Sequence, residues 1–174
     1  TMSGNDEGFL YPQINKELCN DCGLCKKTCP VNAAVAARTA SINAAVGADG
    51  VSGTGDKSPS VDMHKVYACF SKDEEARNKS TSGGVFTQLA AAVLEKNGVV
   101  FGAGFDSDFK VCHMYTESVS GLDNLRRSKY VQSETGNSFR EAKAFLKEGR
   151  KVLFCGTPCQ IAGLKAYLNK DYEG

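Results

Sequence analysis

The sequence carries almost no net charge: 21 basic side chains against 20 acidic ones leave +1 over 174 residues. That balance argues against a nucleic-acid-binding domain, which usually gathers a basic excess on one face. Long apolar runs are missing as well. No stretch of about 18 apolar residues occurs, so no membrane-spanning segment is expected. Thr1 to Leu10 show no basic start followed by an apolar core, so no secretory leader is expected and the cytoplasm is the expected location. Histidine is scarce: His64 and His113 have no partner at triad or metal-ligand spacing, and neither receives a role. The length suits one domain, or one domain with a small appendage.

Cysteine is what the sequence does have. Eight cysteines make about 5% of the chain, below the roughly 8–10% of a disulfide-stapled scaffold. Cys19, Cys22, Cys25 and Cys29 lie close together, whereas Cys69, Cys112, Cys155 and Cys159 are scattered. The clustered four have the spacing C-x2-C-x2-C-x3-C-P, ending at Pro30, which is the bacterial ferredoxin run for a 4Fe–4S cluster. Three thiolates two residues apart on a tight loop can hold three corners of a cubane. Gly23 lets the backbone bend toward the sulfides, and Pro30 is expected to turn the chain so that Cys29 points elsewhere. A zinc site or a redox disulfide pair is the alternative, but zinc usually takes two ligand pairs separated by a longer loop. In two-cluster ferredoxins the fourth cysteine of each run serves the other cluster, and this chain has no second run. With the strand expected at Phe9-Leu10-Tyr11 before Pro12, residues 1–30 read as half of a ferredoxin-like module. Such a half buries little surface alone, so the chain is expected to be a fragment that begins after a first half.

Residues 31–64 shift to Ala, Gly, Ser and Thr. Asn32 to Val46 suits a weak Ala-rich helix, and Gly47 to Ser60 reads as a flexible linker, which places a domain boundary here. Residues 65–174 alternate. Strands are expected at Val66–Phe70, Val99–Ala103, Val111–Tyr115 and Lys151–Cys155, with a turn at Asp106-Ser107-Asp108. Helices are expected over Val85–Leu94, closed by Asn97-Gly98, from Ser138 to Gly149 with a Ser138/Glu141 capping box, and over Pro158–Leu168. The fold class is therefore α/β, with a mixed or mainly parallel sheet and flanking helices.

Two turns in this domain suit a cofactor. Ser80-Thr81-Ser82-Gly83-Gly84 opens a helix, where free backbone N–H groups can meet a phosphate; a plain N-cap by Ser82 is the alternative. Cys155-Gly156-Thr157-Pro158-Cys159-Gln160 joins a strand to a helix, with Thr157 at N-cap, Pro158 at N1 and Gln160 closing a capping box. Cys159 is then a reactive thiol, a cluster ligand or a small filler. Arg126-Arg127-Ser128-Lys129-Tyr130 sets three cations beside a ring, suited either to phosphates or to a solvated face. Cys69 and Cys112, in strand positions, read as fillers.

In order, Gly8-Phe9-Leu10-Tyr11-Pro12, the cysteine run, Val66-Tyr67-Ala68, Lys72-Asp73-Glu74-Glu75, Ser80 to Phe86, Arg127 to Ser133 and Gly156 to Leu164 resemble the coenzyme F-420 hydrogenase/dehydrogenase beta-subunit family. The resemblance implies an iron–sulfur flavoprotein oxidoreductase. It would bind FAD in the α/β domain and a 4Fe–4S cluster on the ferredoxin-like part, and pass electrons between a deazaflavin such as coenzyme F-420, or a similar small carrier, and a redox partner. Matched motif by motif, Ser82, Gly83, Gly84, Lys129, Tyr130, Gly156, Thr157, Pro158 and Cys159 become flavin-site candidates, and Cys19, Cys22, Cys25 and Cys29 cluster ligands. The chain departs from the family pattern in lacking a first cysteine run, in the Ala/Gly-rich stretch after Pro30, and in stopping at Gly174 where relatives continue. The partner is thus a redox protein or a second half of the same chain. The rival reading is a ferredoxin-like electron-carrier module that docks a partner oxidoreductase and has no substrate site of its own.

Overall fold

The computed structural model describes residues 2–29, 67–170 and 172. The expected Ala-rich helix, the linker, Pro30 and Val66 lie outside the described residues.

The N-terminal segment forms a hairpin in which β1 (Met2–Gly4) pairs antiparallel with β2 (Leu10–Pro12). Asn5 closes its turn: the Asn5 side-chain oxygen accepts from the N–H groups of Glu7 at 3.2 Å and Phe9 at 2.8 Å. An open stretch then carries Cys19 and Cys22 into a short helix, α1 (Leu24–Thr28). Gly23 starts that helix at φ 70, a left-handed conformation that a residue with a Cβ enters at a cost.

The second part is built on one strand. Val99–Phe105, β3, is flanked by β4 (Val111–Thr116), antiparallel, and by β5 (Val152–Phe154), parallel, so the sheet is mixed in the order β4-β3-β5. Val99, Val100 and Phe101 are all buried, as a strand covered on both faces requires. Alternation along β3 assigns the two layers. Val100 packs with Ala90, Leu122 and Leu125. These come from helix α3 (Val85–Leu94) and helix α4 (Leu122–Leu125). Val99 and Phe101 pack with Ala142 and Leu164, carried by α5 (Ser138–Lys147) and α6 (Pro158–Leu168). The result is a three-layer α/β unit, as the alternating pattern predicted. No helix among the described residues is long and apolar enough to cross a membrane.

Several local expectations are corrected. Residues 67–70 form no strand. Tyr67 and Phe70 are exposed, and the segment runs beside the backbone of Gly83 rather than along a sheet edge, so it has no ladder to join. A short helix, α2 (Glu74–Asn78), follows it, capped by the Asp73 carboxylate accepting from the N–H groups of Glu75 and Ala76. The Ser138/Glu141 capping box does not form. Asn137 occupies the N-cap, and Ser138 is buried with its hydroxyl unpartnered. At the end of α3 the left-handed residue is Asn97 (φ 56), and the Gly98 N–H returns to the Val93 carbonyl at 3.0 Å, which closes the helix in the expected place.

Candidate functional site

A cleft of about 1370 Å3 opens where three loops meet the sheet. Its apolar floor comes from Phe86, Gly102, Ala103, Leu125 and Phe139. One wall is residues 127–136, the second is the turn 155–157 with the start of α6, and the third is Met2, Phe9 and Leu10 of the hairpin. A smaller pocket of about 180 Å3, lined by the turn 80–84 and by Arg126, Arg127 and Ser128, shares Phe86, Leu125, Arg127 and Ser128 with it. Turns far apart in sequence therefore meet around two adjoining spaces.

Hydrogen bonds fix these walls. Segment 131–135 lies along the free edge of β4: the His113 N–H donates to the Glu134 carbonyl at 2.7 Å, and the Glu134 N–H to the Val111 carbonyl at 3.0 Å. His113 is only 8% exposed and stacks on Phe154, ring centroids 5.2 Å apart. Its Nε2 lies 3.1 Å from the Cys155 carbonyl and its Nδ1 2.7 Å from the Ser133 hydroxyl. A carbonyl only accepts, so Nε2 carries the proton and donates it to Cys155. In the neutral ring Nδ1 then accepts from the Ser133 O–H. Burial pushes the His113 pKa down, against a smaller upward pull from the Cys155 carbonyl, which favours that neutral form. Gln160 adds a second tie, its Oε1 accepting from the Thr157 N–H at 2.9 Å and its Nε2 donating to the Ser133 carbonyl at 3.4 Å.

Gln132 ties the hairpin to this wall. The Leu10 N–H donates to Gln132 Oε1 at 2.7 Å, and Gln132 Nε2 donates to the Leu10 carbonyl at 3.3 Å. A primary amide here copies a strand partner, and it binds the segment preceding the cysteine run to the rim of the cleft.

Of the flavin-site candidates, Lys129, Tyr130, Gly156, Thr157 and Cys159 line the large cleft, and Ser82 and Gly84 line the small pocket. Gly83 lies behind them: a Cβ there would sit 2.9 Å from the Cys69 carbonyl oxygen. Pro158 opens α6 at N1, and the Thr157–Gln160 capping box is present. Ser82 does not cap α3; Gly84 holds the N-cap at φ 75 with no side-chain cap, which leaves that helix start without its usual hydroxyl partner. Tyr130 is 93% exposed. Lys129 donates to the carbonyls of Arg126 at 2.7 Å and Asn124 at 3.1 Å, and burial pushes its pKa down. Thr157 Oγ1 and Cys159 Sγ are 3.1 Å apart at the head of α6.

The cluster candidates fit by donor chemistry. Cys19, Cys22, Cys25 and Cys29 are all free thiols, the first three exposed and Cys29 half-buried, with none engaged in a disulfide. Among the described residues no three potential ligands converge on one point. Helix α1 rests against α6, so the run sits beside the helix that carries Cys159.

Sequence reasoning left His113 without a role and did not single out Gln132. Their partners lie 20, 42 and 122 residues away, so no local spacing marked them. The one available signal for Gln132 was its place in the run Arg127 to Ser133.

Comparison with protein families finds two matches: residues 12–35 match the 4Fe-4S binding domain, and residues 66–139 match coenzyme F420 hydrogenase/dehydrogenase, beta subunit N-term. No curated protein matches the chain.

Proposed function

We propose that this chain, which joins a 4Fe-4S binding domain to the N-terminal domain of the coenzyme F420 hydrogenase/dehydrogenase beta-subunit family, is an iron–sulfur flavoprotein oxidoreductase. It takes electrons from coenzyme F-420 or a similar two-electron carrier and delivers them through FAD and a 4Fe–4S cluster to a redox partner. The observation that carries this reading is the Gln132–Leu10 tie, which makes the segment leading to the cysteine run one wall of the large cleft.

The residues present suit a flavin. A cleft above the roughly 300–1000 Å3 of ordinary ligand pockets, with an apolar floor, takes a large planar ring. The adjoining pocket offers hydroxyls and guanidinium groups instead. A bound flavin supplies the change from two-electron hydride exchange to one-electron transfer. The chain supplies orientation and polarity. His113 holds the Ser133 hydroxyl by its proton, so what Ser133 presents to the cleft is acceptor capacity. Through the Cys155 carbonyl the same ring fixes the turn at Gly156. Cys19, Cys22, Cys25 and Cys29 would hold the cluster, whose thiolate ligation supports one-electron exchange.

The test is the cofactor content of the full chain purified anaerobically. This reading expects about one flavin per chain alongside about four iron and four sulfide. Iron without flavin would favour the electron-carrier module that docks a partner oxidoreductase. A colourless protein with about one zinc would overturn both.

A further inference from the structure

Electrons and protons must separate in the proposed reaction. A hydride carries two electrons and one proton, whereas a 4Fe–4S cluster takes electrons singly and no proton. For each hydride that enters the cleft, one proton has to leave by another route. The cleft therefore needs an uncharged base within reach of its ligand.

The titratable groups that line the cleft differ sharply in this respect. Lys129 spends its donors on the carbonyls of Arg126 and Asn124. Glu134 is exposed, and its charge acts on the Cys112 thiol. Burial raises the Cys155 pKa, which keeps that thiol protonated. Arg127, Tyr130 and Cys159 stand at exposed positions. His113 is buried and uncharged, and its Nδ1 lone pair is directed at Ser133 Oγ, 2.7 Å away. Its neighbours bring no charge to it. Ala103 is its register partner on β3, Phe154 covers its face, and Cys112 points to the other side of β4.

The ring cannot easily turn. Nε2 is held 3.1 Å from the Cys155 carbonyl, and a Cβ on Gly156 would sit 3.3 Å from that same nitrogen. Ser133 is fixed in turn, its carbonyl receiving Gln160 Nε2 at 3.4 Å. Among the described residues Ser133 Oγ has no hydrogen-bond partner besides His113. A hydroxyl, a base behind it and a third group orienting the base is an arrangement that moves protons.

We infer that Ser133 and His113 form a proton relay of the large cleft, where, on the proposed function, a hydride carrier binds. Ser133 Oγ takes a proton from the bound ring as the Ser133 O–H bond breaks and His113 Nδ1 gains that hydrogen. The hydride donor is oxidised, the cluster is reduced by the two electrons in succession and passes them to the redox partner, and the proton ends on His113. The cationic ring then donates from both nitrogens, to the Cys155 carbonyl and to Ser133 Oγ, so Ser133 turns from acceptor to donor toward the cleft. Burial disfavours the cation and returns its proton to water.

The experiment mixes the anaerobically purified, cofactor-loaded full chain rapidly with reduced coenzyme F-420 and follows cluster reduction from about pH 5 to 8, in H2O and in D2O. Wild type is compared with Ser133→Ala, Ser133→Thr and His113→Gln. Wild type should slow as the pH falls through the His113 pKa, which burial places below the ordinary imidazole value, and should be slower in D2O. Glutamine keeps an amide N–H for the Cys155 carbonyl but takes no proton. His113→Gln and Ser133→Ala should be slower by about a hundredfold or more and lose both the pH dependence and the isotope effect, and Ser133→Thr should recover most of the rate. Nitrogen-15 NMR of the histidine-labelled chain, with no carrier added, reads the base directly. At pH 7 His113 should be neutral with its proton on Nε2, and its Nδ1 resonance should move in Ser133→Ala. A proton on Nδ1, or a pH profile and isotope effect that survive in both Ser133→Ala and His113→Gln, overturns the relay. A chain that holds no flavin fails the reading of the cleft before any rate is measured, whereas a flavin-loaded chain with unmoved profiles fails the relay alone.

Discussion

Replacing Cys22 by serine should abolish the iron–sulfur chromophore, leaving iron below about one tenth of the wild-type content. Cys22 stands in the middle of the run, between Cys19 and Cys25, in an open stretch where no backbone ladder holds it in place. Its exposed, unpaired thiol is available to a metal, and a serine hydroxyl is a far poorer iron ligand than a cysteine sulfur. Cys112→Ser is the control. Burial and the nearby carboxylates of Asp106 and Glu134 raise the Cys112 pKa, which disfavours the thiolate that a metal requires. Iron content measured on the two variants should therefore differ sharply. Wild-type iron in Cys22→Ser, or its loss in Cys112→Ser, would contradict the assignment of the run as the cluster site.

The second large effect belongs to the sheet. Phe101→Ala should destabilise the α/β unit by about 3–5 kcal/mol, a large share of the roughly 5–15 kcal/mol that holds a domain together. Phe101 has no exposed surface. Its register partners are also its ring partners: Tyr115 across the antiparallel pair at 5.3 Å, and Phe154 across the parallel pair, stacked at 5.4 Å. Phe145 from α5 meets it edge-on at 6.2 Å. Truncation opens a cavity in the middle of the sheet that no single neighbour can fill. The effect reaches the cleft as well, because Phe154 is the surface on which His113 stacks. Chemical denaturation followed by circular dichroism measures the loss; a change below about 1 kcal/mol would mean that the site collapses around the void.

What was legible in the sequence follows from how local each signal was. Val99 to Ala103 is a continuous apolar run closed by turn residues, and Val85, Phe86, Leu89, Ala90, Val93 and Leu94 repeat at helical spacing, so β3 and α3 could be placed without a partner in view. The Thr157–Pro158–Gln160 pattern likewise encodes its own helix start. Val66 to Phe70 shows the limit. Its composition suits a strand, but a strand needs a neighbour, and among the described residues 67–70 join no ladder, Cys69 and Phe70 running beside the Gly83 backbone. Ser138 shows another: the pattern offered a cap, whereas the packing of α5 buries that hydroxyl. The cysteine run was readable because ligand spacing lies along the chain. The cleft was readable only in pieces, since the ties that assemble it, His113 to Ser133 and Cys155 and Gln132 to Leu10, cross from one part of the fold to another.

On the proposed function, a two-electron donor bound by this chain feeds the cluster through the cleft. The direct measurement is an anaerobic titration of the cofactor-loaded chain with reduced coenzyme F-420, followed by absorbance and by electron paramagnetic resonance at low temperature. The expected result is loss of the oxidised flavin bands together with the signal of a reduced 4Fe–4S cluster, and loss of that cluster signal in Cys22→Ser while the flavin still bleaches. Reduction of the cluster by dithionite but by no two-electron carrier, with the flavin bands unchanged, would contradict it.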